Sequence, residues 1–298
     1  MNEHGGDGAR LAAALNLAPD AVLDLSASIN PVAPDITALV AEHASSVRRY
    51  PDARDATRAL AAALEVDADR VVLTNGGAEA IALVAAECPT GRVEAPEFSL
   101  YARHLRERTP DGPLWRSNPR NPTGRLAAAH DRAAVWDEAF YPLATGTWTR
   151  RDPDAIVVGS LTKTFACPGL RLGYVLSPTT DLAERLRARQ PEWSVGSLGC
   201  ALVPHLLEHA DLAGWAARVA CLRADLDRLL RAHGLDPEPS DANFVLVRHA
   251  PGLRDHLAPR AVLVRDTASF GIHGGARIAV PAEADLERLH TALKGYEP

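Results

Sequence analysis

Apolar positions along the chain fall into two kinds of run. In "GARLAAALNL" (8–17) and "DATRALAAAL" (55–64) they recur at helical spacing, which predicts two short amphipathic helices, the second just after the turn "RRYPD". "RVVLTNGGAEAIALVAAE" (70–87) reads as a strand, a glycine turn and a helix. "RVEAPEF" (92–98), "AAVWDEAF" (133–140) and "AIVVGSLTK" (155–163) are short apolar runs that end in polar residues, as buried strands do. Beyond about residue 180 the pattern changes to long helices, "DLAERLRARQ" (181–190) and "GWAARVACLRADLDRLLRAHG" (214–234). Strands then return in "NFVLVRH", "AVLVRD" and "ARIAVP", before a last helix, "EADLERLHTAL" (283–293). Strand–helix alternation followed by such a tail predicts an α/β protein: a large domain with a mostly parallel sheet and a smaller α+β C-terminal domain. The break is expected near residue 180.

Composition narrows the classes. With 298 residues, 47% of them hydrophobic, the chain can bury a sizeable core. A formal charge of −6 leaves no electrostatic footprint for nucleic acid or an anionic membrane. The longest apolar runs are far short of the ~20 residues a membrane helix needs, and "MNEHGGDGAR" does not resemble a signal peptide. Cys88, Cys167, Cys200 and Cys221 are scattered without a C-x-x-C pair, so free thiols in a cytoplasmic protein are expected.

Open α/β sheets bind ligands beyond the carboxyl ends of their strands, so the residues at those ends carry the functional reading. "TNGGAE" offers the N–H groups of Gly77 and Ala78 at a helix start, a natural phosphate seat. "APEF" places Phe98 past a strand as a stacking plane, and "NPRNPTG" holds the amide of Asn121 in a proline-rigid turn. Asp137 ends an otherwise apolar strand, where a carboxylate needs a cation or several donors to stay charged. Lys163 supplies an amine at the mouth of "AIVVG". Together these describe a pocket for a phosphorylated aromatic cation, pyridoxal 5'-phosphate, held by a lysine Schiff base with an acid on its ring nitrogen.

The ordered set "NPTG", "DEAF", "SLTK" and "PGLRLGY" resembles the class I/II aminotransferase family of pyridoxal-phosphate enzymes, fold type I. "HGG", "LDLSASINP", "RRYPD", "EWSV", "ANFVLVR" and "VLVRD" resemble its cobalamin-pathway branch, that of threonine-phosphate decarboxylase, which is itself similar to histidinol-phosphate aminotransferase. The resemblance implies an N-terminal substrate-lid segment (1–35), a cofactor-binding large domain (36–180) and a small domain (181–298). It implies that Lys163 carries the cofactor and moves protons at the substrate Cα, while Asp137 keeps the ring nitrogen protonated. Asn121 would bond the ring's 3-oxygen, Phe98 stack on the ring, and Gly77, Ala78, Ser160 and Arg171 hold the phosphate. Tyr50 would reach the phosphate of the partner in a homodimer. Arg277 would pair with the substrate carboxylate, with Arg265, Asn30 and His4 at the mouth facing a polar or anionic distal group.

Three departures qualify these expectations. Phe140 stands where many relatives have tyrosine, and Pro281 stands where the decarboxylase has a second arginine for the substrate phosphate. The stretches 101–118 and 124–136 are short, which predicts a reduced peripheral strand and the loss of one or two covering helices. The reading is an aminotransferase acting on a small amino acid, phosphorylated ones among the candidates. The alternatives are the decarboxylase and a cofactor-binding protein without catalysis.

Overall fold

Why the apolar runs become a sheet is clearest in strands β1 (Leu23–Asp24) to β12 (Ala276–Ala279), taken from a computed structural model that describes residues 5–298. The main sheet is built from β2 (Val71–Asn75), β3 (Thr90–Val93), β4 (Glu107–Arg108), β5 (Leu114–Ser117), β6 (Val135–Asp137), β7 (Ile156–Gly159) and β8 (Leu172–Leu176). Their order is β2-β8-β7-β6-β5-β3-β4, and only β8 runs against its neighbours. β7 and β8 are buried along their whole length, as central strands covered on both faces must be.

Alternation along these strands sorts side chains into two cores. Val72, Val158 and Val175 pack against helices Gly76–Glu87 and Thr180–Arg189 through Ile81, Val84, Leu182 and Leu186. Leu73, Val157 and Leu176 face helices Arg54–Leu64 and Ser197–Glu208. Helix Arg54–Leu64 buries Ala56, Leu60, Ala61 and Leu64, one stripe at helical spacing, and stops where Glu65 takes a left-handed conformation (φ 57°). Burying a leucine such as Leu60 is worth about 1.5–3 kcal/mol.

The second domain has an antiparallel sheet in the order β11 (Arg265–Asp266), β12, β9 (Phe244–Val247). Helix Leu212–Ala232 runs from the second of these cores to a third, that of the antiparallel sheet. Leu212 and Trp215 pack with the main sheet, whereas Leu222, Leu226 and Leu230 pack with Val245, Ile278 and Leu289. Residues just past 180, among them Leu182, Leu186 and Val195, pack with the main sheet. "AVLVRD" splits: β10 (Val262–Leu263) pairs with β1, whereas β11 joins β12.

The shortened stretches take the expected form. β4 is two residues long, and no helix connects the parallel neighbours β5 and β6. Trp136, at 0% exposure, is covered instead by the guanidiniums of Arg150 and Arg116, 4.3 and 5.9 Å from its ring centre. Arg116 is anchored by Asp131 and Arg150 by the Asp131 carbonyl. Among the described residues, no helix is long and apolar enough to cross a membrane.

Candidate active site

The carboxyl ends of β2, β6 and β7 open onto one cavity of about 420 Å³, closed from the other side by the small domain and residues 5, 6, 26 and 27. At its floor lies the start of helix Gly76–Glu87, whose first N–H groups have no partners within the helix. Gly76 has φ +76°, and a Cβ there would stand 2.6 Å from Nη2 of Arg171, so the guanidinium rests directly on the helix start. Gly173 allows the same closeness from β8: its Cβ would lie 2.5 Å from the carbonyl carbon of Gly76 and 2.6 Å from the nitrogen of Gly77. Gly77, Ala78, Ser160 and Arg171 thus line one end of the cavity, an electropositive seat with helix-start amides.

Lys163 follows β7 in the short helix Leu161–Thr164 and donates from Nζ to the Ala27 carbonyl (2.7 Å). Protein surrounds the amine on every side but the cavity. Burial, then the charges of Arg277, Arg171 and Arg265, bring its pKa down from 10.5 to about 8. Asp137 is held by two donors, the Tyr101 hydroxyl on Oδ2 (2.7 Å) and the Ala139 amide on Oδ1 (3.0 Å). Burial raises its pKa, against the pull of those two bonds and of the Lys163 charge.

Arg277 is 2% exposed. It donates to Asn121 Oδ1 (2.8 Å) and the Ser26 carbonyl (2.9 Å), lies over Phe244, and has no partner at Nε. Among the described residues no carboxylate forms an ion pair with it. Its direct cross-strand neighbour is Arg265, which stacks over Phe270 and reaches the same cavity. Phe98 and Asn121 complete the expected residues brought together there.

Two of the expected residues that the structure describes are not among them. Tyr50 is 78% exposed and stacks on Trp193, away from its own chain's cavity. Asn30 is buried, but its amide is used by the backbone: Nδ2 donates to the Thr164 carbonyl and Oδ1 accepts from Val32 N. It fastens the Lys163 turn rather than facing a substrate. His4 lies outside the described residues.

Several functional residues escape a reading of strand ends. Tyr101 sits one helical turn past Phe98, and only the fold brings its hydroxyl to Asp137. The carbonyls of Ser26 and Ala27, which receive Arg277 and Lys163, carry no side-chain signal at all. Phe140 lines the cavity and packs edge-on against Phe244. Pro281 does not line the cavity.

The cavity suits pyridoxal 5'-phosphate: its lining brings together an anion seat, an amine, a doubly held carboxylate and a guanidinium with an unpaired Nε. Comparison with known proteins agrees. The family model for aminotransferase class I and II matches residues 97–295. The chain is 31% identical to threonine-phosphate decarboxylase of Salmonella typhimurium over 98% of its own length and 95% of that protein. That alignment spans 350 positions, more than this chain's 298 residues, so the relative carries segments with no counterpart here. Identity to histidinol-phosphate aminotransferase of Methylibium petroleiphilum is 30%, covering 85% of this chain and 82% of the other. In fold it is similar to histidinol-phosphate aminotransferase from Sinorhizobium meliloti, solved with pyridoxal 5'-phosphate (TM-score 0.83, 19% identity, 96% and 93% of the two chains). The same holds for L-threonine-O-3-phosphate decarboxylase from Porphyromonas gingivalis (TM-score 0.75, 22% identity, 92% and 98%). The chain belongs to the class I and II aminotransferase family and is a pyridoxal 5'-phosphate-dependent enzyme of that class.

Proposed function

We propose that the protein is an aminotransferase for a small amino acid bearing a second anionic group, phosphorylated amino acids among them. The observation that carries this reading is the pairing of Arg265 with Arg277 across β11 and β12. Like charges directly opposite one another are unfavourable. Burial brings Arg265 down to about 10, and burial together with the Arg265 charge holds Arg277 well below its usual range. Both guanidiniums line the cavity, so a substrate with two negative groups fits them: an α-carboxylate on Arg277 and a distal anion toward Arg265, each suited to a guanidinium fork.

When bound, the cofactor supplies an aldehyde that condenses with amines and a cationic ring that draws electron density from the substrate Cα. Gly77, Ala78, Ser160 and Arg171 would hold its phosphate, and Phe98 its ring. Asp137, fixed by Tyr101 and Ala139, presents a carboxylate that keeps the ring nitrogen protonated. With its Oδ1 taken by Arg277, Asn121 has its Nδ2 for the ring oxygen. Lys163, its pKa lowered, is readily available as a neutral amine to bind the cofactor and afterwards to take and return the Cα proton. The rigid seat of Arg277 favours keeping the α-carboxylate bound while that proton leaves. Decarboxylation is the second reading, favoured by the similarity to threonine-phosphate decarboxylase over 98% of the chain.

The enzyme works as a cytoplasmic homodimer in this reading. Exposed Val47, Tyr50 and Trp193 are large apolar side chains that a second copy would cover, carrying Tyr50 to that copy's phosphate seat.

A product assay with a panel of amino donors and 2-oxo acid acceptors tests the reaction. Keto acid is expected to exceed released CO₂, with a modest preference for donors carrying phosphate. Stoichiometric CO₂ from threonine phosphate, with no amino transfer to any acceptor, would make the protein the decarboxylase.

A further inference from the structure

Behind the wall that carries Phe98 and Asn121 lies a carboxylate with no part in the chemistry described so far. Glu97 follows β3, and its side chain is 1% exposed. Three donors converge on it: the Phe98 amide (3.0 Å), the Ser117 amide (3.1 Å) and the Ser117 hydroxyl. Arg120 Nε stands 3.9 Å away. Ser117 is the last residue of β5, and its Oγ accepts from the backbone N–H of Asn121 (2.7 Å). Asn121 in turn accepts from Arg277 Nη1 (2.8 Å).

We propose that Glu97 is a positioning residue that sets Asn121, and through Asn121 the Arg277 guanidinium, for the cofactor and the substrate carboxylate. The argument lies in the donor count. A serine hydroxyl has one proton and can rotate to suit its neighbours. Here Oγ receives the Asn121 N–H and gives its own proton to Glu97, so both of its directions are specified. The carboxyl offers acceptors to all three donors at once, and as an ionised carboxylate it brings no hydrogen of its own that would need a further partner. A glutamine at this position would turn an NH₂ toward one of those donors, and a buried, partly satisfied network is less stable than a complete one. The same carboxyl holds the main chain of Phe98, so the main chain of Phe98 and, through Ser117, that of Asn121 share one anchor. Burial raises Glu97 to about 7, against the pull of the Ser117 and Phe98 bonds and the Arg120 charge, so ionisation here depends on those donors. Tyr101 and Asp137 are the other titratable groups facing this region.

The inference rests on Asn121 and Arg277 serving cofactor and substrate, as proposed above. Its test compares the cofactor-loaded wild type with Glu97→Gln, Ser117→Ala and the double variant. The first reading is the pH midpoint of the bound cofactor's absorbance change. A donor drawn away from the cofactor's ring oxygen leaves that oxygen holding its proton more tightly, so the midpoint should move upward in both single variants. The second reading is kinetic: KM for a carboxylate-bearing amino donor should rise about tenfold, the scale of one hydrogen bond to a charged group, with kcat changing less. The double variant should be no worse than the more affected single, because the two residues act as one chain. An unmoved midpoint and KM with only a lower melting temperature would make Glu97 a structural plug and overturn the proposal. Fully additive effects would do the same, since they break the chain through Ser117. The absorbance arm needs no turnover, so a wild type inert toward every donor would sink the proposed reaction and still leave Glu97 decided. Ser117→Ala keeps the test readable should Glu97→Gln fold poorly.

Discussion

Lys163 sits in surroundings that oppose its ordinary charged state. Burial and three guanidiniums favour the neutral amine, which is what a nucleophile and base requires, and the folded protein bears the cost while no cofactor is bound. The sign follows from proton counts. Between its folded pKa of about 8 and the ordinary 10.5, the folded state binds fewer protons at this site than the unfolded state, so stability should rise with pH through that window. Below about 8 the full penalty applies, on the order of 3 kcal/mol. Cofactor-free Lys163→Met should therefore be more stable than cofactor-free wild type at pH 7, with the advantage shrinking toward pH 10.5. Denaturant midpoints of the two proteins across that range measure it, and a difference independent of pH would count against the assigned strain. Asn30 teaches the complementary lesson. Nothing in its local sequence distinguishes an amide that faces a substrate from one that fastens the Lys163 turn.

At the scale of elements, the phosphate seat depends on backbone approach more than on side chains. β8 lies against the start of helix Gly76–Glu87, and Gly173 is the residue that lets it. Gly173→Ala would press a methyl into the Gly76–Gly77 peptide, and neither a buried strand nor a helix start can yield cheaply. The expected result is a loss of about 1–3 kcal/mol of stability, as for other overpacked sites, with weaker cofactor binding. Thermal melts and cofactor titration check both, and unchanged cofactor affinity would show that the seat tolerates the shift. The trimmed crossover between β5 and β6 follows a different logic. Arg150 and Arg116 laid over Trp136 do with two flat cations what a covering helix does with apolar side chains.

At the scale of the whole molecule, Tyr50 and Trp193 give the proposed homodimer its test. Lys163→Ala and Tyr50→Ala chains, each inactive alone, should regain activity when mixed and allowed to exchange, because a heterodimer contains one site with both residues intact. No recovery despite demonstrated exchange would argue against shared sites. How much of this molecule is legible in its sequence depends on the range of the forces involved. The apolar runs announce β2, β6, β7, β9 and β12, and the helical periods announce Arg54–Leu64 and Leu212–Ala232, since burial patterns are written locally. β8 is not announced, because "LRLGYVL" looks like the tail of the lysine motif, and β5, "LWRS", mixes apolar and polar residues and forms no apolar run. The chemistry of the site is legible for the same local reason: Lys163, Asp137, Asn121 and the glycines stand at strand ends, where residue type alone limits what they can do. The sequence by itself therefore determined the fold class, the family and the cofactor. Only the tertiary structure decided that Tyr101 holds Asp137, that two backbone carbonyls receive Lys163 and Arg277, that Arg265 and Arg277 face each other, and that helix Leu212–Ala232 packs with both sheets. Each of these rests on contacts between residues tens to hundreds of positions apart, and a backbone carbonyl or a cross-strand register has no letter in the sequence.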